Sequence, residues 1–151
     1  MAYVFDSSKP IAIGADHAGF DLKKELSEWL RAKNHRVEDK GLFENVSVDY
    51  PDYAHPVAAM VEQGDAAFGI LICGSANGVC MTANKHQGIR AGLSWQNEVA
   101  KLIRQHNDAN IICIPARFVS SQEAKDMINT FMETPFEGGR HLNRINKISC
   151  S

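Results

Sequence analysis

Residues 70–78 read ILICGSANG: an apolar run ends on Cys73, and a loop of small residues follows. Glycine and asparagine tolerate positive φ, so residues 74–78 can curl their backbone N–H groups toward one point. Such a concavity attracts negative charge. It predicts a Cys73 thiol with a lowered pKa. It also predicts a pocket that holds an oxyanion, at roughly 3–4 kcal/mol for one good donor. A base beside an anion-holding loop suits proton abstraction next to a carbonyl. On spacing alone the loop reads equally as a packing turn or a phosphate cradle, although it is neither GxGxxG nor a Walker A motif.

Three further clusters carry chemistry. Asp16 and His17 follow a short apolar run and form either an acid–base pair or a turn with a capping aspartate. His106 and Asn107 fall near the end of a helical stretch, where the helix dipole by itself favours an imidazolium. Arg140 and Arg144 are four apart, so on a helical turn they share a face. Two guanidiniums on one spot suit a phosphate, and a plain solvated basic tail explains them as well. His35, His55 and His86 show no partner pattern and read as surface or turn residues. The gaps between Cys73, Cys80, Cys113 and Cys150 match no zinc pattern, so no metal site is expected. Cys113, inside NIICIP, reads as a small buried hydrophobe.

The elements that must position these residues alternate. KPIAIGA reads as a first strand ending at Gly14, and HRVEDKG as a second. AFGILIC, GIRAGL and ANIICIP read as the next three, with AFGILIC apolar enough for burial on both faces. Between them lie an amphipathic helix with Asp21 as candidate cap and a helix closed by Gly64. A short helix over VCMTANKHQ follows, then one with Ser94 as candidate cap. The last opens on a Ser120–Glu123 capping box. Strands alternating with helices predict a three-layer α/β/α, Rossmann-like domain spanning residues 1–151, with a five-stranded, mostly parallel sheet and a C-terminal basic arm. In such sheets ligands bind beyond the carboxyl ends of the strands, at a topological switch point.

Bulk properties bound the rest. The chain has 151 residues, 44% apolar and 23% charged, with a net charge of −2 and 16 scattered Lys and Arg. That balance does not point to nucleic acid. No stretch approaches the roughly 20 apolar residues of a membrane span, and the first ten residues do not read as a signal peptide. A cytoplasmic location is expected, and with it reduced thiols.

Taken in order and spacing, GADHAGF, DYPDYA, LICGSANGV, ANKHQGIRAGL, RQHNDANI and GGRHLNRI resemble ribose-5-phosphate isomerase type B, whose family includes the subunits of galactose-6-phosphate isomerase. The resemblance runs from about Pro10 to Ile148. It implies interconversion of an aldose phosphate and a ketose phosphate, typically ribose 5-phosphate and ribulose 5-phosphate, with no cofactor or metal. A hexose 6-phosphate, galactose or allose, is the alternative substrate, and a non-catalytic nucleotide-binding module is the alternative class. The resemblance implies sites between the subunits of a homodimer or tetramer. In its cysteine-using branch the thiolate takes the C2 proton, which matches Cys73; the other branch uses a glutamate where this chain has Val79. By the same likeness, His106 and Asp16 open the sugar ring, and Ser75 contacts the oxygens that exchange protons. Gly74, Asn77 and Gly78 form the oxyanion loop, and Asn107 and Tyr50 lie on the sugar. His17, Arg117, Arg140 and Arg144 lie on the phosphate. Two positions depart from the pattern: Ala76 and Pro115 stand where glycine is usual. If position 76 needs positive φ, alanine there costs on the order of 1 kcal/mol.

Overall fold

A computed structural model describes residues 2–150. Five strands, β1 (Ile11–Ala15), β2 (Val37–Asp39), β3 (Gly69–Cys73), β4 (Ala91–Leu93) and β5 (Ile111–Pro115), form one sheet in the order β2-β1-β3-β5-β4. Every pairing is parallel. The helices are α1 (Phe20–Ala32), α2 (Pro51–Glu62), α3 (Asn77–Ala83), α4 (Asn97–Gln105), α5 (Ser121–Glu133) and α6 (Arg140–Ile145).

The central strands are fully buried, and their alternate residues feed two cores. Ile11, Ile13, Ile70, Ile72, Ile112 and Ile114 face α1, α4 and α5. Ala12, Leu71, Cys73, Ile111 and Cys113 face α2 and α3. This is the expected three-layer α/β/α arrangement. Strand order reverses between β1 and β3, so the chain leaves these neighbours toward opposite sides and a crevice opens beyond their carboxyl ends. Among the described residues no helix is long and apolar enough to cross a membrane.

Several local expectations shift. The first strand runs one residue past Gly14, to Ala15. Asp21 does not cap α1; it lies in the first turn, and the capping side chain is Asp16, which opens a 3-10 turn over His17–Gly19. Ser94 does not cap α4 either. It is fully buried, with its hydroxyl near the Gln96 carbonyl and the Met127 sulfur, and Gln96 is the residue before the helix. Helix α3 begins at Asn77 rather than Val79 and stops at Ala83. The Ser120–Glu123 box forms in both directions, and Gly64 adopts φ +81° just past α2.

Candidate active site

Two loops meet at the switch point. After β1, Asp16 turns the chain by accepting from the amides of Ala18 (3.0 Å) and Gly19 (3.3 Å) through Oδ1. Its neighbourhood is fixed from the second strand: buried Lys23 meets Asp39 Oδ2 at 2.5 Å, and Asp39 Oδ1 accepts from the Gly41 amide. The Gly41 carbonyl then accepts from the Ala15 amide at 2.8 Å, and the Leu42 amide donates to the Ala15 carbonyl. Further along the same loop, the Val48 amide donates to His17 Nδ1 at 3.3 Å. That bond leaves the neutral imidazole its proton on Nε2, as a donor.

After β3, the chain turns through Ala76 at φ +64°, ψ 0°, the left-handed conformation that an ordinary side chain resists. The suspected strain at this position is therefore real, and Ala76 is wholly buried. The turn aims the amides of Ser75, Ala76 and Val79 at the Cys73 sulfur. Close approach explains the flanking glycines: a Cβ on Gly78 would lie 2.4 Å from the Tyr50 ring, and one on Gly74 would lie 3.1 Å from the Arg117 guanidinium. The Arg117 amide also donates to the Gly74 carbonyl.

These loops line a cleft of about 400 Å³ that gathers Asp16, His17, Tyr50, Cys73, Gly74, Ser75, Gly78 and Arg117. Ala18 and Phe118 complete its wall; neither carries a polar group that would have marked it in the sequence. Asn77 lines the adjoining apolar cleft, with its Nδ2 3.3 Å from the Ser75 hydroxyl. The electrostatics correct one expectation. Burial pushes the Cys73 thiol up, and the Asp16 carboxylate adds to it, while the amides of Val79, Ala76 and Ser75 pull down without prevailing.

Four expected site residues lie elsewhere in this chain. His106 and Asn107 precede β5 at its amino end, whereas Cys73 pairs with Pro115 at its carboxyl end. Four strand residues separate the two levels, on the order of 13 Å. Arg90 donates to the Asn107 and Asp108 carbonyls, and Arg104 donates to the Asp108 carboxylate and the Ala109 carbonyl. Between them they hold Asp108 at φ +46°. The His106 ring stacks on buried His141 at 4.3 Å and 14°, with Glu137 beside both. Rings so nearly parallel do not converge their in-plane lone pairs on one ion, so this trio does not fit a metal as it stands. Arg140 and Arg144 lie on the adjoining α6. His141, part of the basic tail in the sequence, sits within the same GGRHLNR run as the two arginines.

The model of the Ribose/Galactose Isomerase family matches residues 11–148. The chain belongs to this family. A probable ribose-5-phosphate isomerase B from Mycoplasma genitalium is 45% identical over 140 residues, covering 91% of this chain and 92% of that one. A solved ribose 5-phosphate isomerase from Thermotoga maritima superposes with a TM-score of 0.92 at 45% identity, covering 93% and 97% of the two chains. A structure of ribose-5-phosphate isomerase B from Mycoplasma genitalium with bound ribulose-5-phosphate gives 0.90 at 44% identity, covering 95% of each. The family match thus spans both edge clusters, the Cys73 cleft and the His106–Arg144 corner.

Proposed function

We propose that this chain is an aldose–ketose isomerase interconverting ribose 5-phosphate and ribulose 5-phosphate, with Cys73 as the base. The observation that carries the reading is the meeting of a thiol, three loop amides, a carboxylate and a guanidinium in one cleft of a Ribose/Galactose Isomerase chain. Asp16 and His106 handle the ring oxygen and the anomeric hydroxyl, giving the open-chain aldehyde. The Cys73 thiolate then removes the C2 proton. Charge passes to O1 of a cis-enediolate, held by the amides of the 74–79 turn. The proton returns to C1, and Ser75 serves the exchange between O1 and O2. Nε2–H of His17, Arg117, Arg140 and Arg144 bind the phosphate, and Tyr50, Asn77 and Asn107 bind the sugar hydroxyls.

Because His106, Asn107, Arg140 and Arg144 lie at the far edge of their own sheet, a second copy of the chain delivers them to the Cys73 cleft. The pair is a symmetric homodimer in which each copy completes the other's site.

The test is isomerisation of ribose 5-phosphate in deuterated water, with product analysed for solvent deuterium. Deuterium at C1 of ribulose 5-phosphate is expected, and turnover that falls by about 10²–10⁴-fold in Cys73→Ala with the fold intact. Turnover near normal in that variant removes Cys73 from the base role.

A further inference from the structure

The Asp16 carboxylate can work on a sugar ring only if it is aimed. Its two hydrogen bonds, from the amides of Ala18 and Gly19, both fall on Oδ1, which leaves Oδ2 as the oxygen that can meet a substrate. Those bonds tie the carboxylate to its own turn. The place of the turn itself is set from outside, by a closed circuit of contacts. Lys23, on α1, meets Asp39 Oδ2 at the end of β2. Asp39 Oδ1 accepts from the Gly41 amide at 2.9 Å. The Gly41 carbonyl accepts from the Ala15 amide, and the Leu42 amide donates to the Ala15 carbonyl at 3.0 Å, so both backbone groups of the residue before Asp16 are held. Gly41 has no room to shift: it sits at φ +100°, and a Cβ there would lie 2.9 Å from the Tyr53 ring.

The circuit contains a charge that packing does not require. The Lys23 side chain is 4% exposed, and its ammonium lies 5.5 Å from the Phe43 ring. Burying an ammonium costs free energy that its carboxylate only partly returns, and an apolar chain of similar volume would fill the same space without that cost. What the pair supplies is direction. A charged hydrogen bond fixes one partner against the other, where apolar contact would let them slide. Neither Lys23 nor Asp39 lines the Cys73 cleft, so neither touches substrate there.

We propose that Lys23 and Asp39 are positioning residues for the isomerisation, holding Asp16 where it acts on the ring oxygen. The catalytic part of this role rests on the isomerase reading above; the placing of the Asp16 turn does not. Loosening the circuit harms the step that Asp16 serves and spares the proton transfer at Cys73, whose sulfur is carried by β3 and its own turn. The two steps can be separated with ribulose 5-phosphate. Its O5 carries the phosphate and cannot close on C2, so this sugar is an open chain. Its C1 proton exchanges with solvent through the enediolate without any ring step.

The experiment incubates the full-length protein with ribulose 5-phosphate in deuterated water. NMR reads deuterium at C1 of the remaining ribulose 5-phosphate and the ribose 5-phosphate formed. In Lys23→Met, ribose 5-phosphate formation should fall about tenfold or more while C1 exchange stays within about threefold. Without sugar, hydrogen exchange at the Ala15, Gly41 and Leu42 amides should quicken about tenfold or more. If Lys23→Met does not fold, Asp39→Asn keeps an acceptor for the Gly41 amide, loses only the charge, and should show the same split. Equal loss of C1 exchange and ribose formation overturns the proposal. So does a variant that keeps both, or one whose three amides exchange as slowly as in the wild type. A wild-type protein that neither exchanges nor isomerises would refute the isomerase reading and the catalytic role with it, while the amides still decide whether the pair places the turn.

Discussion

Cys73, the proposed base, is a thiol that its own chain keeps from ionising. The sulfur ends a wholly buried strand, and that burial outweighs the amides aimed at it. Its pKa lies above the usual thiol value of 9.0, so the neutral form is favoured and the thiolate is scarce at neutral pH. Alkylation of Cys73 by iodoacetamide should then climb about tenfold per pH unit through the mildly alkaline range, without levelling off below pH 9. A plateau near neutrality, read by peptide mass spectrometry, would mean that some group lowers the thiol further than the amides do. Ala76 is the second notable residue. Ala76→Gly removes left-handed strain of about 1–2 kcal/mol but gives up one buried methyl, about 0.8 kcal/mol, and frees the unfolded chain. The variant is expected within about 1 kcal/mol of the wild type by urea unfolding.

At the scale of elements, the sheet places the chemistry and the second strand braces it. Lys23 is buried with a single carboxylate, and that carboxylate also orders the loop beside Asp16. Lys23→Ala should cost about 2–3 kcal/mol in denaturant unfolding, toward the low end for a broken buried pair because Asp39 keeps the Gly41 amide and some water. Alternation of apolar and helical runs was enough to read all five strands from the sequence, because burial on both faces leaves an unmistakable run such as GILIC, whereas the strand order that sets the switch point between β1 and β3 is not written in that alternation. Caps were read less well. Asp21 and Ser94 have the right residue types, yet tertiary contacts decide: Asp16 takes the turn ahead of α1, and Ser94 is buried against Met127. Motif residues after β1 and β3 converge as their loops do. The direction of the Cys73 shift was not legible, since it depends on how deeply the sulfur sinks, and spacing does not encode depth.

For the whole molecule, the same topology that assembles one cluster keeps the other away from it. Helix α4 carries the chain from the carboxyl edge of the sheet back to the amino edge, so His106 ends far from Cys73. The proposed pairing can be tested by mixing two broken chains. Cys73→Ala and His106→Ala should each be nearly inactive alone. After co-refolding, mixed dimers hold one intact site of two, and roughly a quarter of wild-type turnover should return. No recovery would argue that each copy supplies its own His106 through a rearrangement of the chain.

The Arg104 guanidinium lies 4.7 Å from the Phe5 ring and 5.6 Å from that of Phe131, while its nitrogens grip Asp108 and Ala109. The residues ahead of the first strand are thus wired, through one cation, to the bend that presents His106 and Asn107. Trimming those opening residues, or fusing bulk onto them, reaches the histidine proposed to open the sugar ring in a neighbouring subunit's site, without touching any proposed substrate contact.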